Sequence, residues 1–166
     1  QAISRNTGFM RNKIVNEVAG PCTEMFFLES AVGLMNHCVS GASKTTQPRS
    51  AGGRYTDYIT PVECWWVGDV FKSCAGMSRK QANEIAKQVL PMYETQLSAP
   101  PKGESIYDCY DLQKQQAKPP TDGQPGKAGR DRHRGDGLFL LVHQKKGAAG
   151  LPHPKAGHQP AQQDHL

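Results

Sequence analysis

"GPCTEMFFLESAVGLMNHCVSG", residues 20–41, decides the fold because it predicts a buried helix. Apolar side chains recur in it at alternating steps of three and four and form one helical stripe: Met25, Leu28, Val32, Met35 and Val39. Phe26, Phe27 and Leu34 lie off that stripe, so the helix is apolar on more than one side and should be mostly buried. Pro21 is predicted at the first helical position and Gly41 at the C-terminal stop.

A second helix is predicted from a capping box at residues 60–63. Thr60 is the expected N-cap, Pro61 the first helical residue, and Glu63 the carboxylate that returns a hydrogen bond to the cap. This helix should run to about Gly76, and its "CWWVGDVF" segment is interpreted as a face of the core.

Three further segments complete the predicted order of elements. Ser78 and Gln81 form another capping box, which opens a helix that Pro91 must kink or end. Residues 42–60 are rich in Gly, Ser and Thr and are expected to form a loop or a short hairpin. The opening "AISRNTGFMRNKIVNEVAG", residues 2–20, predicts a short amphipathic helix, because its later apolar residues fall at helical spacing before Gly20 and Pro21 interrupt it.

The composition changes near residue 113 and divides the chain into two unlike parts. The chain has 166 residues, which is enough for one ordinary domain, and its net charge is +5. Residues 1–113 look foldable, whereas in residues 114–166 only "LFLLV" is apolar among Gly, Pro, Gln and basic residues. That run cannot close a core, so the tail is expected to be disordered. A shift of reading frame near residues 114 to 120 would produce such a tail.

The five cysteines indicate a reducing compartment. Their count is odd and no CxxC spacing occurs, which predicts neither a disulfide framework nor a metal site. The chain shows no signal peptide and no apolar stretch near 18 residues, so we expect a cytoplasmic protein with no membrane partner. It opens on Gln1 instead of methionine, and we expect a fragment.

The polar residues around the first helix do not by themselves specify a reaction. Glu24 and Glu29 are five positions apart and do not share a helix face, which disfavours a pair of acid and base carboxylates. Glu24 can be read simply as a first-turn carboxylate that the helix dipole favours. Cys22 has no histidine near it in sequence, which disfavours a nucleophile.

Several ordered blocks give a more specific indication. They are "GFMRNKIVNEVAGPCTEMFFLESA", "SGAS", "RSAGGRYTDYITPVE", "AGMSRKQANEIAKQVLPMYETQL" and "PPKGESIYDCYDL". Together they cover nearly all of residues 8–112, and in order and spacing they resemble the C-terminal portion of the archaeal monomethylamine methyltransferases.

The resemblance implies an α/β fold in which this chain supplies the C-terminal, helix-rich part of a TIM-like (β/α)8 barrel. It also implies a reaction: a pyrrolysine ring imine captures monomethylamine, and the methyl group passes to the Co(I) of a corrinoid protein. The chain would bind no cofactor directly, because the corrinoid (cobalamin) is carried by the partner protein. We expect the pyrrolysine upstream of Gln1, a homo-oligomer at full length, and no activity for this chain alone.

Site residues follow from that expected barrel, whose catalytic groups lie in the loops after the strands. "VAGPCTE" leads into a helix where such a loop would be, and it places Glu24 as the catalytic acid with Thr23 beside it in substrate binding. Arg54 and Tyr55, on the Gly-rich loop, are the other substrate-binding candidates.

Other functions fit parts of the sequence. Within the same class, a dimethylamine or trimethylamine enzyme is the near alternative. A non-catalytic helical binding module would fit the helices, and a basic nucleic-acid-binding protein would fit "KAGRDRHRG", residues 127–135. Because that basic segment has no aromatic interleaving, we expect no nucleic-acid partner.

Overall fold

The structure is a computed structural model that describes residues 2–118. Its helices and strands follow in chain order: α1 Ala2–Asn6, β1 Asn12–Lys13, α2 Glu24–Val39, β2 Lys44–Thr45, α3 Pro61–Ser73, α4 Arg79–Val89, α5 Ile106–Cys109, β3 Tyr110–Asp111 and β4 Gln116–Ala117. Short 3-10 turns cover Ser50–Gly53, Leu90–Met92 and Glu94–Gln96. The described part is therefore helix-rich with a few two-residue strands.

Helix α2 lies at the centre of the core and packs against α3 and α4. Its buried side chains include Phe26 and Leu34, which meet Trp66 of α3 and Ile85 of α4 in one apolar cluster. Trp66 also donates a 3.0 Å hydrogen bond from Nε1 to the buried hydroxyl of Ser30, which satisfies the indole inside the core. The prediction of a mostly buried first helix is confirmed.

The start of α2 differs from the prediction. Pro21 does not begin the helix, because Cys22 adopts a left-handed φ of 61° that interrupts any helix there. Thr23 is the N-cap, and its Oγ1 accepts a 3.3 Å hydrogen bond from the N–H of Phe26. At the other end the helix closes as expected: Ser40 is the C-cap and Gly41 takes φ 84°.

The helix predicted in the opening segment, residues 2–20, does not cover its later apolar residues: α1 spans only Ala2–Asn6, and residues 9–18 are not helical. Asn12–Lys13 form β1, which pairs in parallel with Lys44–Thr45 of β2. Backbone hydrogen bonds fix this pairing: Lys44 N–H donates to the Arg11 carbonyl (3.2 Å), and Thr46 N–H donates to that of Lys13 (3.2 Å). Helical spacing was present, but a tertiary partner took the backbone hydrogen bonds that a helix needs.

The two capping boxes are confirmed. Thr60 and Glu63 cap α3, and Ser78 and Gln81 cap α4. Helix α3 ends at Ser73, three residues before the predicted Gly76. Pro91 ends α4 as expected, since the chain continues there in a 3-10 turn.

The C-terminal side of the described region forms a small hairpin. β3 and β4 pair antiparallel, with Tyr110 opposite Ala117 and Asp111 opposite Gln116. The second strand of this hairpin ends at Ala117, four residues beyond the predicted boundary at residue 113. The division of the chain at that boundary stays a prediction. The rest of the expected tail, residues 119–166, lies outside the described residues.

Candidate active site at the carboxyl edge of the parallel strands

The order β1–α2–β2 forms a parallel β-α-β unit, and the loops that follow its two strands meet. Ala51 N–H donates to the Ala19 carbonyl at 2.8 Å, and Gly52 N–H donates to the Glu17 carbonyl at 2.6 Å. Both loops leave the carboxyl ends of their strands. This is the edge at which parallel α/β proteins place their ligands, so it is the candidate site.

The Gly-rich loop after β2 is held by its backbone. Ala51, Gly52 and Gly53 have left-handed φ angles of 50°, 65° and 70°. The N–H groups of Ala51 and Gly52 point at the chain's own carbonyls, and that of Arg54 donates to the Ala51 carbonyl at 3.2 Å. These amides therefore form hydrogen bonds within the protein, which disfavours an anion-binding site on this loop.

Glu17 is the most unusual group at this edge. Its side chain is fully buried, and Oε2 accepts a 2.9 Å hydrogen bond from the N–H of Arg49. Its Oε1 accepts no hydrogen bond from the described residues. The buried hydroxyl of Ser50 likewise forms no hydrogen bond with them. Burial raises the pKa of Glu17 from 4.5 to about 7. Backbone hydrogen bonds to the carboxylate, including that from Arg49, oppose this rise, and the nearby Glu29 and Glu63 add to it.

Two more carboxyl groups hold the same segment. Glu29, on α2, accepts hydrogen bonds from the N–H groups of Val18 (2.9 Å) and Ala19 (3.3 Å), and burial raises its pKa. Glu63, fully buried at the start of α3, accepts a 3.0 Å hydrogen bond from the N–H of Cys22. Both side chains therefore fix the path of residues 18–22.

Glu63 also closes the α3 capping box inside the protein. Its Oε2 accepts hydrogen bonds from the N–H of Thr60 at 2.7 Å and from the Thr60 hydroxyl. A capping box on an exposed helix satisfies only local donors. Here the same carboxylate also reaches the turn at Cys22, 41 residues earlier in the chain, so it joins two elements.

The predicted residues Thr23 and Glu24 lie at the start of α2. Thr23 is half-buried; besides capping the helix, its hydroxyl donates a 2.7 Å hydrogen bond to the Gly20 carbonyl. Glu24 is the first residue of the helix and is exposed. The structure thus gives Thr23 a structural role and leaves the Glu24 side chain at the surface.

Arg54 and Tyr55 lie on the exposed part of the Gly-rich loop. The Tyr55 ring stacks at a tilt on Tyr58, with 4.9 Å between the ring centroids. The Lys102 ammonium lies 5.1 Å from the Tyr55 ring centre and 5.9 Å from that of Tyr58. A cation-binding aromatic pair therefore borders the candidate site.

Local sequence patterns indicate neither Glu17 as a site residue nor the burial of Glu63. In the sequence Glu63 stands out only as a capping residue, and Glu29 only as a possible carboxylate partner of Glu24. A signal was present, since Glu17 lies directly before "VAGPC", in the block that resembles the family. Its contacts with Arg49 and Gly52 could not be inferred from the sequence, because the Gly-rich loop lies more than 30 positions later in the chain.

Metal binding and membrane insertion have no structural signal in residues 2–118. That region contains no group of three or more His, Cys, Asp or Glu side chains that could hold a metal ion. None of the helices described is long and apolar enough to cross a membrane.

Comparison with known proteins supports the resemblance seen in the sequence. The sequence profile of the family described as monomethylamine methyltransferase MtmB matches residues 1–123. The monomethylamine methyltransferase MtmB of Methanosarcina mazei is 32% identical over 110 residues, which are 66% of this chain and 24% of that protein. MtmB1 of Methanosarcina barkeri is 31% identical over the same length. The chain therefore spans about a quarter of the length of these relatives.

Solved structures agree with the sequence comparison. The crystal structure of the M. barkeri monomethylamine methyltransferase has a TM-score of 0.66 and 26% identity, over 91% of this chain and 30% of that chain. A crystal structure of the hydroxylamine MtmB complex has a TM-score of 0.67 and 24% identity at the same coverage, which shows a shared fold. The match over residues 1–123 places the chain in the monomethylamine methyltransferase (MtmB) family.

Proposed function

We propose that this chain is the C-terminal portion of a methyltransferase that moves the methyl group of monomethylamine to the Co(I) of a cognate corrinoid protein. The match to the MtmB family over residues 1–123 is the observation that carries this proposal. Family membership favours methyl transfer over a non-catalytic helical module or a nucleic-acid-binding protein, and it favours monomethylamine over dimethylamine or trimethylamine.

In this proposal the described residues are the last part of a TIM-like (β/α)8 barrel. The parallel pairing of Asn12–Lys13 with Lys44–Thr45, with α2 between them, is the repeating unit of such a barrel. The joined loops after β1 and β2 would then lie at the catalytic face. The two-residue strands would be lengthened by pairing with the remaining strands of the barrel.

The pocket residues proposed at this face are Glu24 as the acid, with Thr23, Arg54 and Tyr55 in substrate binding. Exposure of Glu24, Arg54 and Tyr55 leaves these side chains accessible to a substrate. Glu17 joins them as a proton-holding group behind the Gly-rich loop, because its pKa of about 7 lets it hold a proton at neutral pH.

The proposed partners are monomethylamine and a corrinoid protein, in the cytoplasm, with a homo-oligomer at full length. The methyl acceptor is the cobalt of a corrinoid that the partner carries, and none is assigned to this chain. Pyrrolysine, which the family resemblance makes the amine-capturing residue, is not among the 166 residues. The role proposed for these residues is therefore to shape the pocket, and the 166-residue chain by itself should transfer no methyl group.

A chimera tests this function. Residues 1–118 would replace the corresponding C-terminal segment of the M. barkeri enzyme. Methyl transfer from monomethylamine to a Co(I) corrinoid protein would be measured by the change in absorbance of the corrinoid. We expect the chimera to be active, and the truncated M. barkeri enzyme and the isolated chain to be inactive. Dimethylamine and trimethylamine serve as competing substrates. A chimera that folds, by circular dichroism and size, but does not methylate the corrinoid would contradict the proposal.

A further inference from the structure

Tyr55 and Tyr58 lie against each other across a tight turn in the loop that follows β2. Asp57, between them, has a left-handed φ of 61°. The ring centroids are 4.9 Å apart, with 43° between the ring planes. Tyr55 has 48% of its surface exposed, and Tyr58 is half-buried. A small ligand can therefore reach this aromatic pair from solvent.

The Lys102 ammonium already lies on this pair as a bound cation. Its Nζ is 5.1 Å from the Tyr55 ring centre and 5.9 Å from that of Tyr58, which is the range of a cation–π interaction with both rings. The Lys102 side chain is exposed, and it forms no salt bridge with any residue that the structure describes. The two rings thus accept an ammonium group, and here that group belongs to the protein.

The backbone of Lys102 is fixed, whereas its side chain is free to move. Gly20 N–H donates to the Pro101 carbonyl at 2.9 Å, and Glu104 N–H donates to the Pro21 carbonyl at 3.2 Å. A Cβ atom added at Gly20 would overlap the Lys102 carbonyl oxygen, so the two segments touch backbone to backbone. Because the lysine stem is flexible, the ammonium can leave the rings without a change in the backbone.

The segment that carries Lys102 connects the two loops of the candidate site. It contacts the loop after β1 through Gly20 and Pro21. It reaches the loop after β2 through Ile106, whose N–H donates a 2.8 Å hydrogen bond to the Asp57 carbonyl. The aromatic pair therefore lies at the carboxyl edge of the parallel strands, where α/β proteins bind their ligands.

We propose that Tyr55 and Tyr58 form a binding site for methylated ammonium ions, which displace the Lys102 ammonium from the two rings. Aromatic faces bind such ions because the ring quadrupole attracts the positive charge. This site deepens the proposed function, since it gives Tyr55 a class of ligand and adds Tyr58 and Lys102. It rests on that function for its natural ligand, because monomethylamine is protonated to methylammonium at neutral pH.

Lys102 should act as a tethered competitor at this site. A ligand must displace an ammonium that its own chain keeps near the rings at a high effective concentration. The displaced ammonium has a carboxylate to approach in Asp108. Hydrogen bonds from Ser105 are the main cause that lowers the pKa of Asp108, and the charges of Lys118 and Lys102 add to this effect. Removal of the Lys102 charge should therefore strengthen ligand binding.

An NMR titration of the complete 166-residue chain, with ¹³C in its five tyrosine rings, tests the site. The probe is tetramethylammonium chloride, which donates no hydrogen bond, so its binding reports the ring faces. We expect saturable shifts of the Tyr55 and Tyr58 ring signals at constant ionic strength. Methylammonium chloride should shift the same signals. tert-Butanol, a neutral molecule of similar shape, should not, and neither should tetramethylammonium when the chain is unfolded in concentrated urea.

Four variants assign the binding to the rings and to Lys102. Tyr58→Leu should abolish the shift of Tyr55, because one ring face is lost. Tyr58→Phe should retain it, because the hydroxyl is not used. Lys102→Met keeps the length of the stem and removes the charge, so the dissociation constant should fall by about two- to five-fold. Lys80→Met, at an exposed position of α4, is the matched control and should leave the constant unchanged.

Two results would overturn the proposal. One is the absence of saturable shifts at Tyr55 and Tyr58 in both the wild type and Lys102→Met. The other is an equal response to tetramethylammonium and tert-butanol, which would show an unspecific apolar surface. Methyl transfer does not enter this test. An inactive chimera would contradict the proposed function and leave the site intact, whereas absent binding would contradict the site alone.

Discussion

Glu17 joins the two loops of the candidate site, because its Oε2 accepts a 2.9 Å hydrogen bond from the backbone N–H of Arg49, 32 residues away. Its own carbonyl accepts from the N–H of Gly52 at 2.6 Å. One residue thus uses both its side chain and its backbone to hold the Gly-rich loop. The second carboxyl oxygen stays without a hydrogen bond from the described residues, which is why protonation matters here.

The stability of the chain should depend on pH through Glu17. Its pKa rises from 4.5 to about 7 on folding, so between these values the folded state keeps a proton that the unfolded state has released. The associated stability is complete below about pH 4.5 and is lost as the pH rises through 7, by up to about 3 kcal/mol. Urea unfolding of the wild type and Glu17→Gln from pH 4.5 to 8 measures it.

In that experiment the free energy of unfolding should fall with pH less steeply in Glu17→Gln than in the wild type. Glu94→Gln, which removes an exposed carboxyl from a 3-10 turn, is the matched control. Parallel pH profiles for the wild type and Glu17→Gln would contradict the assignment.

The two confirmed capping boxes should differ in their contribution to stability. Glu63 is fully buried and accepts hydrogen bonds from Cys22 and Thr60, so Glu63→Ala leaves buried donors without partners and should cost about 3 kcal/mol. Gln81 closes the exposed box of α4, and Gln81→Ala should cost at most about 1 kcal/mol. Chemical unfolding of both variants compares them. Equal losses would show that the contact with Cys22 adds nothing.

Two glycine substitutions should have opposite signs. Gly103 has φ 72°, and an added Cβ would lie 2.3 Å from the Pro21 carbonyl oxygen, so Gly103→Ala should destabilise by at least about 2 kcal/mol. Gly68 lies inside α3 with no atom within 4 Å of such a Cβ, and Gly68→Ala should stabilise by about 0.5 to 1 kcal/mol. Thermal unfolding gives both signs; a tolerated Gly103→Ala would argue against the close approach of these segments.

The proposed role of Glu24 can be separated from its position at the helix start. In the chimera, Glu24→Gln keeps the shape and a hydrogen-bonding group but removes the acid. If Glu24 moves protons, turnover per folded enzyme should fall by about 10² or more. If it only favours the helix dipole, stability should fall by about 0.3 to 1 kcal/mol while turnover stays unchanged. Steady-state methyl transfer and thermal unfolding, measured on the same sample, distinguish the two roles. Unchanged turnover would contradict the assignment of Glu24 to the pocket.

Local signals in the sequence predicted the helices well. The capping pairs at Thr60 and Ser78 set the starts of α3 and α4, since a cap satisfies donors within its own first turn. Gly41 and Pro91 marked helix ends for equally local reasons, a left-handed φ and a missing N–H. The ordered sequence blocks also predicted the family, which the match over residues 1–123 confirms.

The sequence by itself therefore determined the main helices and the family, because both are encoded in short, contiguous patterns. Only the tertiary structure decided that residues 12–13 pair as a strand and that Glu17 meets Arg49. Each of these contacts joins residues more than 30 positions apart, so its formation depends on how α2 packs in the core and not on any local preference of the residues concerned.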